Sequence, residues 1–290
     1  MIGLFALLLG IFLSTLAYGA EKATLILSAE LKPYLDFAEG FRENAEIDQI
    51  FILPAHRQKA EIYLSLHPYN LVAVGSKALR FMTEVSFKDP LFYALIVSPE
   101  IAHKLLPEHR LCGLYLRLPV TITFPIIQKI MNQTIGIKNP VKIFIPYSNT
   151  LNTSFALEAK KNGKKLGVVV KIQRITNVSS LREFIEKEDF DVLYCIPDPI
   201  FSTEEAIALI TTWALAQGKA VCGYNRFFIN KGALIAFTFD YHLIGKATAQ
   251  MWRQKICNER PAPFQTLINK KIFKLLKKKI KTDKNIDAKN

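Results

Sequence analysis

The sequence predicts an α/β protein with two doubly wound parallel-sheet lobes joined by a hinge. Short β-branched runs alternate with longer helical stretches from Thr24 onward. These runs are apolar throughout, which is typical of parallel strands covered on both faces by helices. The predicted strands are Thr24–Leu27, Gln49–Leu53, Leu71–Val74, Phe92–Val97, Val141–Pro146, Val168–Ile172, Asp191–Ile196, Ala220–Cys222 and Leu234–Thr238.

An interruption in the middle of the chain indicates two sheets. A short strand at Cys112–Arg117 is followed by Leu118-Pro119 and a new helix from about Val120 to Thr134. After Gly136 the strand–helix alternation restarts. Two lobes with a cleft between them follow from this pattern, and ligands of such sheets gather at the carboxyl ends of the strands.

Helix starts and stops support these assignments. Ser202 and Glu205 have the spacing of a capping box, and Ser180 and Glu183 repeat it ahead of the 184–187 turn. Gly218 stands where a glycine closes a helix after its last turn.

Composition limits the class of protein. Half of the 290 residues are hydrophobic and 22% are charged, which excludes a disordered polyelectrolyte. Four cysteines are too few for a small disulfide scaffold. The formal charge of +13 by itself suggests a nucleic-acid partner.

The N-terminal segment argues against that partner. Met1 to Gly19 has no charged side chain, an apolar run from Leu4 to Leu13, and the small-residue ending Ala17-Tyr18-Gly19. We interpret residues 1–19 as a signal peptide cleaved near Gly19; an uncleaved N-terminal anchor is the alternative. A periplasmic location follows, in which chromosomal DNA and RNA are not natural partners.

The reactive side chains show no catalytic or metal pattern. Cys195 and Cys222 lie on neighbouring apolar runs and either pair in an oxidising compartment or stay as buried free thiols. The five histidines form no metal-binding spacing, and no nucleophile-elbow motif is present. We therefore expect no enzyme activity, no metal and no cofactor.

Four loops at predicted strand ends carry polar residues. They are Gly75-Ser76-Lys77, Tyr147 to Asn152, Pro197-Asp198-Pro199 and Gly223-Tyr224-Asn225-Arg226. The alternative for any one loop is that turns simply require Gly, Ser, Asn and Pro. Together, four loops facing one cleft favour a ligand site.

Several stretches resemble the ABC-transporter substrate-binding proteins that bind tryptophan or phenylalanine and have the type I periplasmic-binding fold. Leu25–Phe41 is similar to the family's opening strand and P-Y-x-x-x-x-E-G-F helix, and residues 73–78 to its V-G-(T/S)-x-A loop. Residues 191–208 resemble its D-A-L-Y-x-x-x-D strand, and residues 232–245 its G-G-A-L-A-x-x-x-x-D-Y-x-x-x-G segment. Together these matches span nearly the whole mature chain.

The resemblance implies an exported receptor that closes two lobes over an amino acid or organic anion and delivers it to an ABC transporter permease. One lobe would comprise 21–117 plus 240–260 and the other 118–239 plus 261–269, followed by a Lys-rich tail at 270–290. The resemblance and the loops together give these candidate ligand-binding residues: Ser28, Gly75, Ser76, Lys77, Tyr147, Ser148, Asn149, Asp198, Tyr224, Asn225, Arg226 and Asp240.

The loop after Cys222 departs from the family pattern. Many relatives carry an acidic residue there, whereas this chain has Arg226. Beside Lys77, Arg226 would favour a carboxylate or another anion; the alternative is that Arg226 points into solvent.

Two other functions stay open: a periplasmic sensor of the same fold that acts on a membrane receptor, and a periplasmic hydrolase.

The C-terminal tail holds more than half of the net charge. Residues 269–290 contain nine lysines and two aspartates. Ile272, Phe273, Leu276 and Ile280 share one helical face, with most lysines opposite. Such a helix either contacts a membrane surface or a permease, or is a solvated terminal helix docked lightly on its lobe.

Overall fold

A computed structural model describes residues 21–136 and 140–287, with side chains for all of these except 134, 135 and 279–287. The predicted signal peptide lies outside the described residues. In the part of the chain that is described, no helix is both long and apolar enough to cross a membrane.

The elements alternate as the sequence predicts, and their bounds follow in chain order. The first are β1 (Ala23–Leu27), α1 (Lys32–Asn44), β2 (Ile47–Ile52), α2 (Arg57–Leu66), β3 (Leu71–Val74), α3 (Ser76–Phe81), β4 (Leu91–Ile96), α4 (Pro99–Leu105) and β5 (Leu111–Tyr115). Next come α5 (Val120–Ile130) with a π-helical turn at Met131–Ile135, β6 (Val141–Tyr147), α6 (Thr153–Gly163) with a 3-10 turn at Lys164–Leu166, β7 (Val168–Arg174), α7 (Val178–Lys187) and β8 (Val192–Tyr194). The last are α8 (Glu204–Ala216), β9 (Ala220–Gly223), α9 (Arg226–Asn230), β10 (Ile235–Phe239), α10 (Tyr241–Arg253), β11 (Glu259–Pro261), β12 (Phe264–Ile268) and α11 (Lys270–Asp287).

The strands form two six-stranded sheets, which confirms the predicted fold class. The first has the order β11-β5-β4-β3-β1-β2 and the second β12-β10-β9-β8-β6-β7. Strands β1 to β5 pair in parallel, as do β6 to β10, while β12 runs antiparallel to β10 with Ile235 opposite Ile268. The edge strand β11 was not predicted, because a three-residue strand leaves no periodic pattern.

The described residues divide into two compact units. Unit 1 contains those up to Tyr115 together with Tyr241–Arg260; unit 2 contains Leu116–Asp240 and those from Pro261 onward. The chain therefore passes between units three times, after Tyr115, Asp240 and Arg260. The C-terminal helix α11 belongs to unit 2.

Each sheet is covered by helices on both faces. In unit 1, β1, β3 and β4 are buried along their whole length. Helices α2, α3 and α4 pack on one face, while α10 packs against α1 and against β4 and β5. In unit 2, α5, α6 and α11 share a core with one face of the sheet, and α7, α8 and α9 share a core with the other.

Two predicted helix caps are wrong, one by a single residue and the other by three. The N-cap of α8 is Thr203, whose side chain accepts the Ala206 N–H at 3.2 Å. Ser202 instead donates its own N–H to Pro199 O at 3.1 Å and closes a 3-10 turn, so the helix starts later. Helix α7 begins at Val178, and its N-cap is Asn177, an equally good capping residue, which places Ser180 at the third helical position.

The other helix-end predictions hold in part. Gly218 has a left-handed φ of 71° just beyond α8, as predicted. The helix predicted from Val120 to Thr134 is regular only to Ile130, after which the π-helical turn completes it.

The cysteines pair differently from the pairing considered in the sequence. Cys195 and Cys222 are buried free thiols, which is the second of the two alternatives. Cys112 at the start of β5 forms a disulfide with Cys257, just beyond α10, with Cα atoms 4.7 Å apart. This bond joins two segments of unit 1 that are 145 residues apart in sequence. No sequence motif marks the pair, because the fold alone brings these segments together.

Candidate functional site

In unit 1, the carboxyl ends of β1 and β3 meet at Ser28 and Gly75. The Ser28 N–H donates to Val74 O at 3.0 Å, and its Oγ accepts the Ala78 N–H at 2.9 Å. Ser28 is only 2% exposed. Its hydroxyl therefore anchors the first turn of α3 to the end of β1.

Gly75 needs to be glycine on two counts. Its φ of 88° lies in the left-handed region. A Cβ atom there would lie 2.6 Å from Ser28 Oγ and 2.7 Å from Tyr34 Cε1. Tyr34, in the first turn of α1, thus lies beside these strand ends; it is absent from the predicted site, although it belongs to the P-Y motif that resembles the family. Burial raises the pKa of the nearby Tyr241 hydroxyl, which interacts with Tyr34.

Ser76 and Lys77 are exposed in the first turn of α3. They lie on the edge of a shallow groove of about 450 Å³ that Arg57, Arg80 and Glu84 also line. Arg57 pairs with Glu84, which is the one acidic residue among the four charged residues that line this groove.

In unit 2, the Asp198 carboxylate organises the loop after β6. It accepts hydrogen bonds from the backbone N–H groups of Ser148 (3.0 Å), Asn149 (3.1 Å) and Ile200 (3.1 Å), from the Ser148 hydroxyl, and from Asn152 Nδ2 at 2.7 Å. Burial by itself would raise the pKa of Asp198. The hydrogen bonds from Ser148, Asn152 and backbone N–H groups outweigh it and hold that pKa below its usual value. Asp198 is thus a buried anion that fixes the loop's geometry.

Asn152 connects this anion to a cation. Its Oδ1 accepts a hydrogen bond from Arg117 Nη2 at 2.7 Å. Its Nδ2 donates hydrogen bonds to the Asp198 carboxylate and to the backbone oxygen of Pro197. The Arg117 guanidinium also lies 5.3 Å from the centre of the Phe155 ring. The site therefore contains a half-buried guanidinium with a fixed orientation, which sequence reasoning missed because Arg117 sits at a chain crossing and not in a strand-end loop.

Aromatic side chains surround Arg117. A pocket of about 20 Å³ in unit 2 is lined by Arg117 together with Phe155, Tyr194, Tyr224, Phe237 and Phe239, among others. That volume holds about one water molecule. This pocket therefore offers an aromatic surface with one guanidinium and is itself too small to enclose a larger molecule.

The two tyrosines of this pocket are neutral at physiological pH. Burial raises the pKa of Tyr224 to about 12 and that of Tyr194 further. The Tyr224 hydroxyl donates to Phe201 O at 3.1 Å. Both rings are thus fixed apolar surfaces.

The other candidates of unit 2 have diverse positions. The Tyr147 side chain is 8% exposed and packs in the core shared with α5 and α6. The Asn149 side chain accepts the Leu151 N–H at 2.9 Å, and Asn225 caps α9 through the Phe228 N–H. Arg226 and Asp240 are exposed. Lys77 belongs to unit 1 and Arg226 to unit 2.

In the described part of the chain, no group of His, Cys, Asp and Glu residues could hold a metal ion.

Known structures share this architecture, although no family model matches the chain and no curated protein is significantly similar to it. A ligand-free, open substrate-binding protein with adhesive properties from Clostridium difficile has a TM-score of 0.66 at 16% identity, over 88% of this chain and 94% of that one. The chain has the fold of substrate-binding proteins.

Two further structures support that fold. An ABC domain from Streptococcus pneumoniae, solved in complex with L-Trp, has a TM-score of 0.54 at 17% identity, over 89% of this chain and 95% of that one. A conserved domain protein from Vibrio cholerae has a TM-score of 0.56 at 18% identity with the same coverage.

Proposed function

We propose that this protein is an exported solute-binding protein that captures a small molecule and delivers it to an ABC transporter permease. The shared fold and the polar loops at the strand ends of both units support this function. Closure of the two units over the ligand, the periplasmic location and the permease partner stay predictions.

We infer the chemical class of the ligand from Arg117 and the aromatic side chains around it. A guanidinium held by Asn152 and Phe155 is suited to a carboxylate, since its donors form a planar fork. The adjacent rings of Tyr194, Tyr224 and Phe239 favour an apolar or aromatic group. We infer a ligand with a carboxylate next to an apolar group, such as an aromatic amino acid or an aromatic organic acid.

A thermal-shift screen against amino acids, organic acids and sugars tests this function. A ligand that binds only the native protein raises its melting temperature by mass action. We expect carboxylates with apolar groups to give the largest shifts. A screen in which only sugars shift the melting temperature would contradict the ligand class, and steady turnover of a substrate would favour the hydrolase.

Two arginine variants then separate the two cation hypotheses. Arg117→Gln removes the half-buried guanidinium and should weaken binding of the carboxylate ligand at least about tenfold, the typical loss for a charge-assisted hydrogen bond. Arg226→Gln is the matched control and should have a smaller effect, because Arg226 is exposed. Calorimetric titration measures both; a larger loss for Arg226→Gln would assign the anion contact to Arg226 instead.

A further inference from the structure

One face of unit 2 carries a concentration of lysines. It is the outer surface of α5, α6, the Lys164–Leu166 turn and α11, which we call the basic face. Helix α6 and its turn contribute Lys160, Lys161, Lys164 and Lys165, all exposed. Helix α5 adds Lys129, and α11 adds five exposed lysines between 270 and 278. Among the described side chains of these elements, Glu158 is the only acidic one.

These elements form one continuous surface. They share a hydrophobic core against the same side of the sheet. Helix α5 contacts α6 and the Lys164–Leu166 turn. Gln128 Nε2 on α5 donates a hydrogen bond to the backbone oxygen of Gly167, just after that turn, at 2.9 Å. The π-helical turn that continues α5 contacts α11. The lysines of α11 and those of α6 therefore belong to the same surface of unit 2.

The core contacts of α11 hold its lysines in place. Leu276 is 1% exposed, and Ile272 and Phe273 pack against the same core. This confirms the predicted apolar face for these three residues, while the Ile280 side chain lies outside the described residues. Docking of α11 on its own unit is thus observed, and its exposed lysines point away from that core, so the docking does not decide between a solvated tail and contact with a membrane or permease.

The opposite face of unit 2 is different. Its helices α7 and α8 carry both signs of charge, including the Arg182–Glu186 and Lys187–Glu183 pairs. Lys231 pairs with Glu204 at the start of α8. The positive charge of unit 2 is thus concentrated on the basic face.

We propose that the basic face is a docking surface for a membrane rich in anionic phospholipids. Lysines near such a membrane each contribute attraction to its negative surface potential. Two exposed leucines stand among them: Leu157 is 55% exposed beside Lys160 and Lys161, and Leu275 is 52% exposed beside Lys271 and Lys278. Apolar side chains surrounded by lysines match the headgroup boundary of a bilayer, whereas a phosphate backbone offers them no apolar partner.

Vesicle co-sedimentation of the mature protein tests this surface. Vesicles of equal parts phosphatidylglycerol and phosphatidylcholine should pellet the protein, and phosphatidylcholine alone should not. The variant Lys160→Gln/Lys161→Gln/Lys164→Gln leaves α11 intact and should weaken binding at least about tenfold, since each lysine at the surface contributes about fivefold. The matched control Lys59→Gln/Lys88→Gln/Lys104→Gln removes three exposed lysines from unit 1 and should bind like the wild type.

A second pair of variants tests the apolar contribution. Leu275→Ser should weaken vesicle binding. Leu209→Ser is the control and should not weaken it, because Leu209 is 48% exposed on α8 beside Glu205 and lies outside the basic face. Equal losses for both lysine triples would show an effect of net charge alone and would overturn the proposal. An unchanged affinity of the α6 triple would also overturn it, as would tighter binding to a DNA duplex than to the anionic vesicles.

Discussion

Asn152 Nδ2 donates a hydrogen bond to the Asp198 carboxylate at 2.7 Å, joining two loops that lie 46 residues apart in sequence. Through its Oδ1, the same amide accepts from Arg117. A buried anion, a neutral amide and a guanidinium thus form one chain of hydrogen bonds at the strand ends of unit 2. The Asp198 carboxylate is thus linked to the Arg117 guanidinium through the side-chain amide of Asn152.

We expect Asp198→Asn to destabilise unit 2. The variant replaces a carboxylate oxygen that accepts hydrogen bonds with an NH₂ group facing other donors, and losing hydrogen bonds to a buried charge costs about 3 kcal/mol. Urea denaturation followed by tryptophan fluorescence, to which Trp213 of unit 2 and Trp252 of unit 1 both contribute, measures this cost. Asp189→Asn is the control, because Asp189 is highly exposed and should change stability by less than about 0.5 kcal/mol. Equal stability of the two variants would contradict the role given to Asp198.

The same carboxylate predicts a pH dependence. Its pKa is lower in the folded protein than its usual value, so the unfolded chain takes up the proton first as the pH falls. The stabilisation from Asp198 is therefore fully present above its unfolded pKa and is lost as the pH falls through its folded pKa. We expect the stability difference between wild type and Asp198→Asn to be largest near neutral pH and to shrink at acidic pH. A difference that grows on acidification would be inconsistent with the lowered pKa.

We expect Gly75→Ala to be markedly more destabilising than Gly136→Ala. Both glycines have positive φ, 88° and 75°, which costs a residue with a Cβ about 1–2 kcal/mol. Only at Gly75 would the new Cβ also collide with Ser28 and Tyr34, whereas at Gly136 nothing lies within 4 Å. Urea midpoints of the two variants should thus differ, with an excess cost at Gly75 of at least about 1 kcal/mol. Equal midpoints would mean that Ser28 and Tyr34 move aside at little cost in free energy, which would contradict this prediction.

Thiol counting tests the cysteine pairing. Under non-reducing conditions, the native protein should react slowly with alkylating agents, because burial raises the pKa values of Cys195 and Cys222 well above normal. After unfolding, these two thiols should react, and Cys112 and Cys257 should react only after reduction. Peptide mass spectrometry reads out all four sites. Labelling of Cys112 in unfolded, unreduced protein would refute the bond.

The sequence predicts well those features that depend on local pattern. The apolar runs locate β1 through β10 to within a few residues. Most inner strands are apolar because both of their faces are buried, whereas the edge strands β2 and β7 are partly exposed and mix apolar with polar residues. Local pattern also bears on Tyr147: it continues the alternation of Val141, Ile143 and Ile145 toward one face, which explains its place in the core. Tyr147 was predicted as a ligand-binding residue only because it stands at the end of a predicted strand, and that position alone does not show that its side chain points into the core.

Features that depend on long-range contacts were not predictable. The partners of Asp198 come from a loop 46 to 50 residues earlier, and Arg117 reaches the site through Asn152. Cys257 meets Cys112 only because α10 returns the chain to unit 1. Polar side chains and cysteines have no sequence periodicity that identifies their partners, so the tertiary fold alone determines these contacts.

Neighbouring leucines in α11 give the sharpest test of how the tail is held. Leu276 is 1% exposed in the core of unit 2, and Leu275 is 52% exposed. Leu276→Ala should therefore cost about 2–4 kcal/mol, from lost burial and the cavity left behind, whereas Leu275→Ala should cost less than about 0.5 kcal/mol. Helix propensity is nearly the same for both changes, so it cancels in the comparison. Urea denaturation followed by tryptophan fluorescence, to which Trp213 of unit 2 and Trp252 of unit 1 both contribute, measures the difference between the two variants. Equal and small effects would show that α11 is not part of the core, and the basic face would then lose the support that orients its tail lysines.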